Sequence, residues 1–107
     1  MTAREERQRL RALYQARFAV VAPVLRAWDP YRLLALGAPL DELDGEIQRV
    51  VARWDEVRSR EDATRVIAEV FASAFDSRDF PHASAADVGA RLYRAMRGNL
   101  DVPGGEA

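Results

Sequence analysis

The stretch Ser59-Arg60-Glu61-Asp62-Ala63-Thr64-Arg65-Val66-Ile67-Ala68-Glu69-Val70-Phe71-Ala72-Ser73-Ala74-Phe75 decides the fold. Ser59, three residues ahead of Asp62, has the spacing of a capping box, in which side chains satisfy the free amides of a new helix. Behind it, apolar residues fall at 63, 66, 67, 70, 71, 74 and 75. Steps of three and four keep them on one arc of an α-helix, wide enough to touch two neighbours. This helix is therefore the expected centre of a core. No run outside the helical segments alternates with period two over four or more residues, so strands are not expected. The fold class is all-α, a compact bundle of four main helices.

Working upstream, a second helix is predicted to open near Asp41, with Asp41 as cap and Glu42 and Asp44 in the first turn, where negative charge suits the helix dipole. Its stripe is Leu43, Ile47, Val50, Trp54 and Val57. The turn before Ser59 is very short, so helices two and three are expected to form an antiparallel hairpin. Downstream, Asp76–His82 reads as a polar loop carrying Phe80-Pro81. Ser84 with Asp87 starts a fourth helix with the stripe Ala85, Val88, Leu92, Ala95 and Met96, and Gly98-Asn99 is expected to stop it. Residues 1–98 then form a single helical domain and 99–107 a flexible tail.

The first helix is announced by Thr2-Ala3-Arg4-Glu5, another capping-box pattern. Its predicted stripe runs Leu10, Tyr14, position 17, Val21, Val24 and Trp28. Arg17 interrupts this stripe, and Pro23 falls inside the pattern. An internal proline loses a backbone bond and crowds the preceding turn, at a cost of roughly 3 kcal/mol. A kink near Pro23 is expected, or two helices meeting there. Asp29-Pro30 ends the element, and Asp29–Pro39 forms a connector in which Gly37 supplies a left-handed stop.

The chain has 107 residues, one His and no Cys, and all 16 basic residues are Arg, against 17 acidic ones. One domain of ordinary size follows. The absence of Cys excludes disulfides, thiolate metal sites and thiol nucleophiles. The net charge of −1 hides a split. Residues 1–28 carry +4, residues 29–64 carry −4 and the remainder −1. Nucleic-acid binding is not expected of so balanced a domain, even though Arg4, Arg7 and Arg11 fall on one helical face. The longest apolar run, Ala19–Leu25, is far short of the ~20 residues that span a bilayer, so a cytoplasmic protein without a membrane partner is expected.

Between Trp28 and Asp44 two Pro, one Gly, two aromatics and four carboxylates crowd into a loop and a helix start. Loops of this kind held between rigid helices often carry function. The candidate interaction surface is Trp28, Asp29, Tyr31, Arg32, Asp41, Glu42 and Asp44. Arg17, predicted midway along an apolar stripe, needs either a carboxylate or a route to solvent. Pairing with Asp41 or Asp44 across the bundle is one expectation, and a place at the edge of the stripe is the other. Asp41, Glu42 and Asp44 also raise a hard-cation reading, but only Asp41 and Asp44 share a helical face and the ligand spacing of a calcium loop is missing. No metal, cofactor or catalytic set is assigned.

Trp28-Asp29-Pro30, Leu33–Pro39 and Asp41-Glu42-Leu43-Asp44 together resemble a small family of uncharacterised bacterial helical proteins, in which a W-D-P segment precedes a D-E-Y-D helix start. The likeness covers roughly Leu25 to Phe75 and departs at Leu43, where the family usually has Tyr. It implies the helical fold and marks the segment, but names no reaction. The expected function is a small cytoplasmic bacterial protein-binding module, of the kind that inhibits or confers immunity to a toxic enzyme. The alternatives are a self-associating structural homodimer and a metal-dependent enzyme using Asp41 and Asp44.

Overall fold

The capping box at Thr2 forms as expected: the Glu5 amide donates to Thr2 Oγ1 at 3.1 Å and the Thr2 amide to Glu5 Oε1 at 2.9 Å. From it α1 runs Ala3–Trp28 as one continuous helix with Pro23 inside it, not as two helices meeting there. It is this computed structural model that the fold rests on, and it describes residues 2–30, 32, 34–74 and 82–101, without the side chains of 73–74, 82–84 and 99–101. The proline is tolerated because both Pro23 and Ala19 are exposed. The Ala19 carbonyl, which loses its usual donor four residues on, lies on the solvent side of the helix. The helix ends where Asp29 turns left-handed (φ 42°) and its amide caps the Leu25 carbonyl at 3.0 Å. Aspartate is among the few non-glycine residues that tolerate this conformation.

The connector folds on Asp29. Its carboxylate accepts hydrogen bonds from the amides of Leu34 (3.1 Å) and Ala35 (3.0 Å), and Gly37 closes the turn at φ 101°. The second helical segment differs from its prediction. Asp41 is not a cap; Leu40–Leu43 form a 3₁₀ turn entered from Pro39. The α-helix proper, α2, spans Asp44–Ala52 and gives way at Arg53 to a second 3₁₀ turn, Trp54–Glu56. The predicted stripe nevertheless faces the core, with Leu43, Ile47, Val50 and Trp54 buried. Apolar periodicity survives the change of helix type because a short 3₁₀ turn rotates the stripe only slightly.

Helix α3 spans Arg60–Ala74. Ser59 Oγ accepts from the Asp62 amide at 3.0 Å, while Asp62 Oδ2 reaches one residue further back than a capping box would and accepts from the Arg58 amide at 3.0 Å. Ala63, Val66, Ile67, Val70 and Phe71 are all buried, which makes α3 the centre of the core. Phe75, the 76–81 loop and residues 102–107 of the expected tail lie outside the described residues. Helix α4 spans His82–Asp101, starting two residues before Ser84 and passing through Gly98 instead of stopping there. An exposed glycine inside a helix costs only about 1 kcal/mol, which the rest of the turn can absorb.

The main partner of α3 is α4, with α1 packed against both α4 and α2. The close approach of α3 and α4 is made at Gly89, where an added Cβ would lie 2.9 Å from the Thr64 Cα and Thr64 amide nitrogen. Gly89→Ala is therefore expected to force the helices apart and lower stability by about 1–3 kcal/mol, despite alanine's better helix propensity. Urea unfolding measures it; a Gly89→Ala midpoint equal to or above wild type would show that α4 can shift freely over Thr64.

The bundle covers α1 unevenly. Val21, Ala22 and Leu25 are buried, but every described residue from Thr2 to Ala16 is exposed. Leu10 and Tyr14, placed by their spacing in the core stripe, stand 59% and 39% exposed, with Leu13 at 46%. The reason is length. At 1.5 Å per residue α1 extends about 39 Å, whereas the nine residues of α2 extend about 14 Å. The first half of α1 is an arm that overhangs the body.

Candidate functional site

The predicted interaction surface separates into residues that hold the fold and residues left for contact. Trp28 is half-buried, its ring 5.1 Å from Phe71 in an edge-on arrangement. Asp29 is occupied by the amides of the connector. Asp44 is half-buried and pairs with Arg26 at 2.9 Å, tying the end of α1 to the start of α2. Tyr31 lies outside the described residues. Arg32, Asp41 and Glu42 are exposed, and beside them stand Leu36 at 79% and Leu40 at 66% exposure. What remains of the segment is an acidic and apolar patch at 36–42. The two leucines are its new members, and they were missed because, on either side of Gly37-Ala38-Pro39, they look like ordinary loop filler.

Arg17 does not pair with Asp41 or Asp44. It lies at the edge of the stripe, its guanidinium 4.9 Å over the Trp54 ring and 3.5 Å from Asp55. Asp44 is taken by Arg26, whose position nine residues later on α1 puts it level with the start of α2. Arg17 thus borders a surface cleft of about 200 Å³ with Tyr93 and Arg97. The cleft is internally tied: Arg97 donates to Tyr93 Oη at 3.3 Å, and that hydroxyl donates to the Arg58 carbonyl at 3.4 Å. Since Asp55 is 87% exposed, its pair with Arg17 contributes little, and most of the contact is the cation over the indole. Arg17→Ala is expected to cost about 1 kcal/mol in thermal unfolding, and Asp55→Asn close to nothing. An equal loss in both variants would instead assign the effect to the ion pair.

The neighbouring charge clusters are also structural. Arg53 bridges Glu56 at 2.8 Å and Glu69 at 2.7 Å, joining the second 3₁₀ turn to α3. The hydrogen bonds Arg53 donates, first to Glu56 and then to Glu69, push its guanidinium further above its ordinary range. The Arg53 bond in turn holds Glu56 below the usual carboxylate range. Asp62 is lowered first by Arg65 and then by the Arg58 amide. Among the described residues no three His, Cys, Asp or Glu side chains gather as metal ligands would.

The second candidate surface is the arm. Leu10, Leu13 and Tyr14 form an unpartnered apolar strip, and Tyr14 leads into Phe18 (centroids 6.1 Å apart) at the edge of the body. Arg4, Arg7 and Arg11 run along one side of the strip, at the i, i+3, i+7 spacing of a single helical line. The sequence carries the signal for this arm in a mismatch: the 26-residue first helix is longer than either helix it packs against, α2 with nine residues and α4 with 20. Arm and connector lie at opposite ends of α1. Compared with known protein families, curated proteins and solved structures, the chain finds no match.

Proposed function

We propose that this protein is a protein-binding module, a helical body that presents two contact patches at the ends of its first helix. One observation carries the reading. Among the described residues, the exposed large apolar side chains are gathered in two places, Leu10, Leu13 and Tyr14 on the arm and Leu36 and Leu40 on the connector. Scattered exposed leucines need no explanation, but grouped ones rimmed by charge are the mark of an interaction surface. Arginine predominates beside the first group, with Arg4, Arg7, Arg9 and Arg11 against Glu5 and Glu6, and carboxylate beside the second, with Asp41 and Glu42 against Arg32.

The arm supports the reading from a second direction. An unpacked helix of about 15 residues is marginal in water, because packing supplies most helical stability in proteins. A partner laid along the strip would supply what the body does not. The inhibitor or immunity-type form of the function rests on analogy with small acidic helical domains of this shape, the cytoplasmic setting on the short apolar runs and early charges, and the bacterial setting on the resemblance of Trp28–Pro30 and Asp41–Asp44 to the W-D-P family.

The test is a photo-crosslinking residue placed at Leu13 and, as a control, at Arg94 on the exposed side of α4. Crosslinks from position 13 that vanish in a Leu10→Asp background support the module. Equal labelling from both positions, or none from position 13 in an extract of the source cell and with the purified chain alike, would sink it.

A further inference from the structure

We infer that the partner of each patch is the other patch on a second copy of this chain, so that two copies exchange arms. The inference rests on the binding-module reading and names its occupant.

The two patches match in kind. The arm, residues 2–16, has a net charge of +2 from four Arg and two Glu, and its apolar strip is bordered by Arg4, Arg7 and Arg11. The connector offers Leu36 and Leu40, both strongly exposed, next to the exposed carboxylates of Asp41 and Glu42. Among the described residues no ion pair engages Arg4, Arg7, Arg11, Asp41 or Glu42. The acids nearest to them in sequence that are paired, such as Asp44 and Glu46, are paired within the body. Apolar surface is thus available to cover apolar surface, and free cation to face free anion.

The match cannot be made within one chain. Leu10 and Trp28 are 18 residues apart on a continuous helix, about 27 Å, and the connector begins at the far end. Nor do two arms suit each other, since each is positive and would bring arginines against arginines. The remaining arrangement is reciprocal. With two copies related by a two-fold axis and their first helices running in opposite directions, each arm lies over the partner's connector. This closes the assembly and leaves no patch free to recruit a third copy. It also doubles a contact that is small by itself, toward the size of about 1,600 Å² usual for a stable complex.

The experiment is sedimentation of the full-length chain across a concentration series at low and high salt, with three variants. The wild type is expected to dimerise, and its dissociation constant to rise at least about tenfold between roughly 50 and 500 mM NaCl, because exposed charge pairs are screened. The arm variant Leu10→Asp/Leu13→Asp and the connector variant Leu36→Asp/Leu40→Asp are each expected to be monomeric. Each should keep a cooperative melt, lowered only by loss of the dimer contact and fraying of the uncovered arm, since none of the four side chains belongs to the core. Mixed in equal amounts, the two should form a dimer weaker than wild type but tighter than either alone, because one intact arm then meets one intact connector. In the charge-reversed pair, Arg7→Glu/Arg11→Glu should dissociate the dimer, and mixing with Asp41→Arg/Glu42→Arg should recover it.

A wild-type monomer at about 200 µM in low salt, a concentration far above that at which a micromolar complex forms, overturns the exchange. So does a dimer indifferent to both the arm and the connector variants. Position 13 separates these failures from failure of the module itself: a monomer that still crosslinks a different protein there keeps the module and loses the exchange.

Discussion

Phe71→Ala is expected to lower the melting temperature by about 15–25 °C, the equivalent of roughly 3–5 kcal/mol for a ring removed from a closed core. Phe71 is fully buried in the last turn of α3, the helix whose side chains fill the centre of the core. Its loss opens a cavity that α1, α2 and α4 cannot all move to fill, because each is held elsewhere: α1 to α2 by Arg26 and Asp44, and α4 to α3 at Gly89. It also removes the edge-on partner of Trp28, and such aromatic pairs contribute about 0.5–1.5 kcal/mol beyond their buried area. A chain of this size has only about 5–15 kcal/mol of total stability, so the variant should be near unfolding at physiological temperature. Circular dichroism through a thermal ramp measures it. Phe71→Leu keeps most of the volume and should recover over half the loss; a drop below about 5 °C for the alanine variant would mean the core is looser than its packing indicates.

Pro23→Ala is expected to act in the opposite direction, raising the melting temperature by about 10 °C. The alanine restores an amide to the Ala19 carbonyl and removes the ring from the preceding turn, together worth up to about 3 kcal/mol in a helix interior. Part of this is offset by the proline's restriction of the unfolded chain, about 0.4–1 kcal/mol, leaving a net gain near 2 kcal/mol. The side chain is exposed, so no packing is lost with it. The measurement is urea unfolding followed at both the tryptophans and the helix signal. A Pro23→Ala midpoint at or below wild type would show that Val21, Ala22 and Leu25 reach the core only along the backbone path the proline imposes.

The helical class and the core were legible because each depends on one-dimensional spacing. Leu43, Ile47, Val50, Trp54, Val66, Ile67, Val88 and Leu92 all lie where the three-and-four rhythm puts them. What the rhythm cannot encode is how much of a stripe its neighbours cover. Leu10 and Tyr14 continue the line of Val21 and Trp28, yet they stand outside because the opposing helices are too short to reach them. The same limit explains Arg17 and Arg26. Both are arginines on α1 with acids across the bundle, and only the relative height of α1 and α2 decides that Arg26 meets Asp44 while Arg17 meets Asp55. Gly89 went unremarked for a related reason, although a glycine amid Val88, Leu92 and Met96 was a visible cost in search of a contact.

The candidate surface was half legible. The Trp28–Asp44 segment stands out in the sequence, but its most distinctive residues, Trp28, Asp29 and Asp44, are fastenings in the fold. Residues that brace a loop and residues that greet a partner draw on the same amino-acid types, and sequence does not separate them. Exposure does, and it shifts attention to Leu36, Leu40, Asp41 and Glu42.

Because residues 2–16 contribute no buried side chain, folding and reaching outward fall on non-overlapping stretches of one helix. Substitutions ahead of Arg17 are free of packing constraints, so the arm can change its chemical character, or be exchanged whole for another, while Val21, Ala22 and Leu25 go on anchoring α1. If the arm is the contact surface proposed above, its partner can change over generations without any change in whether the chain folds.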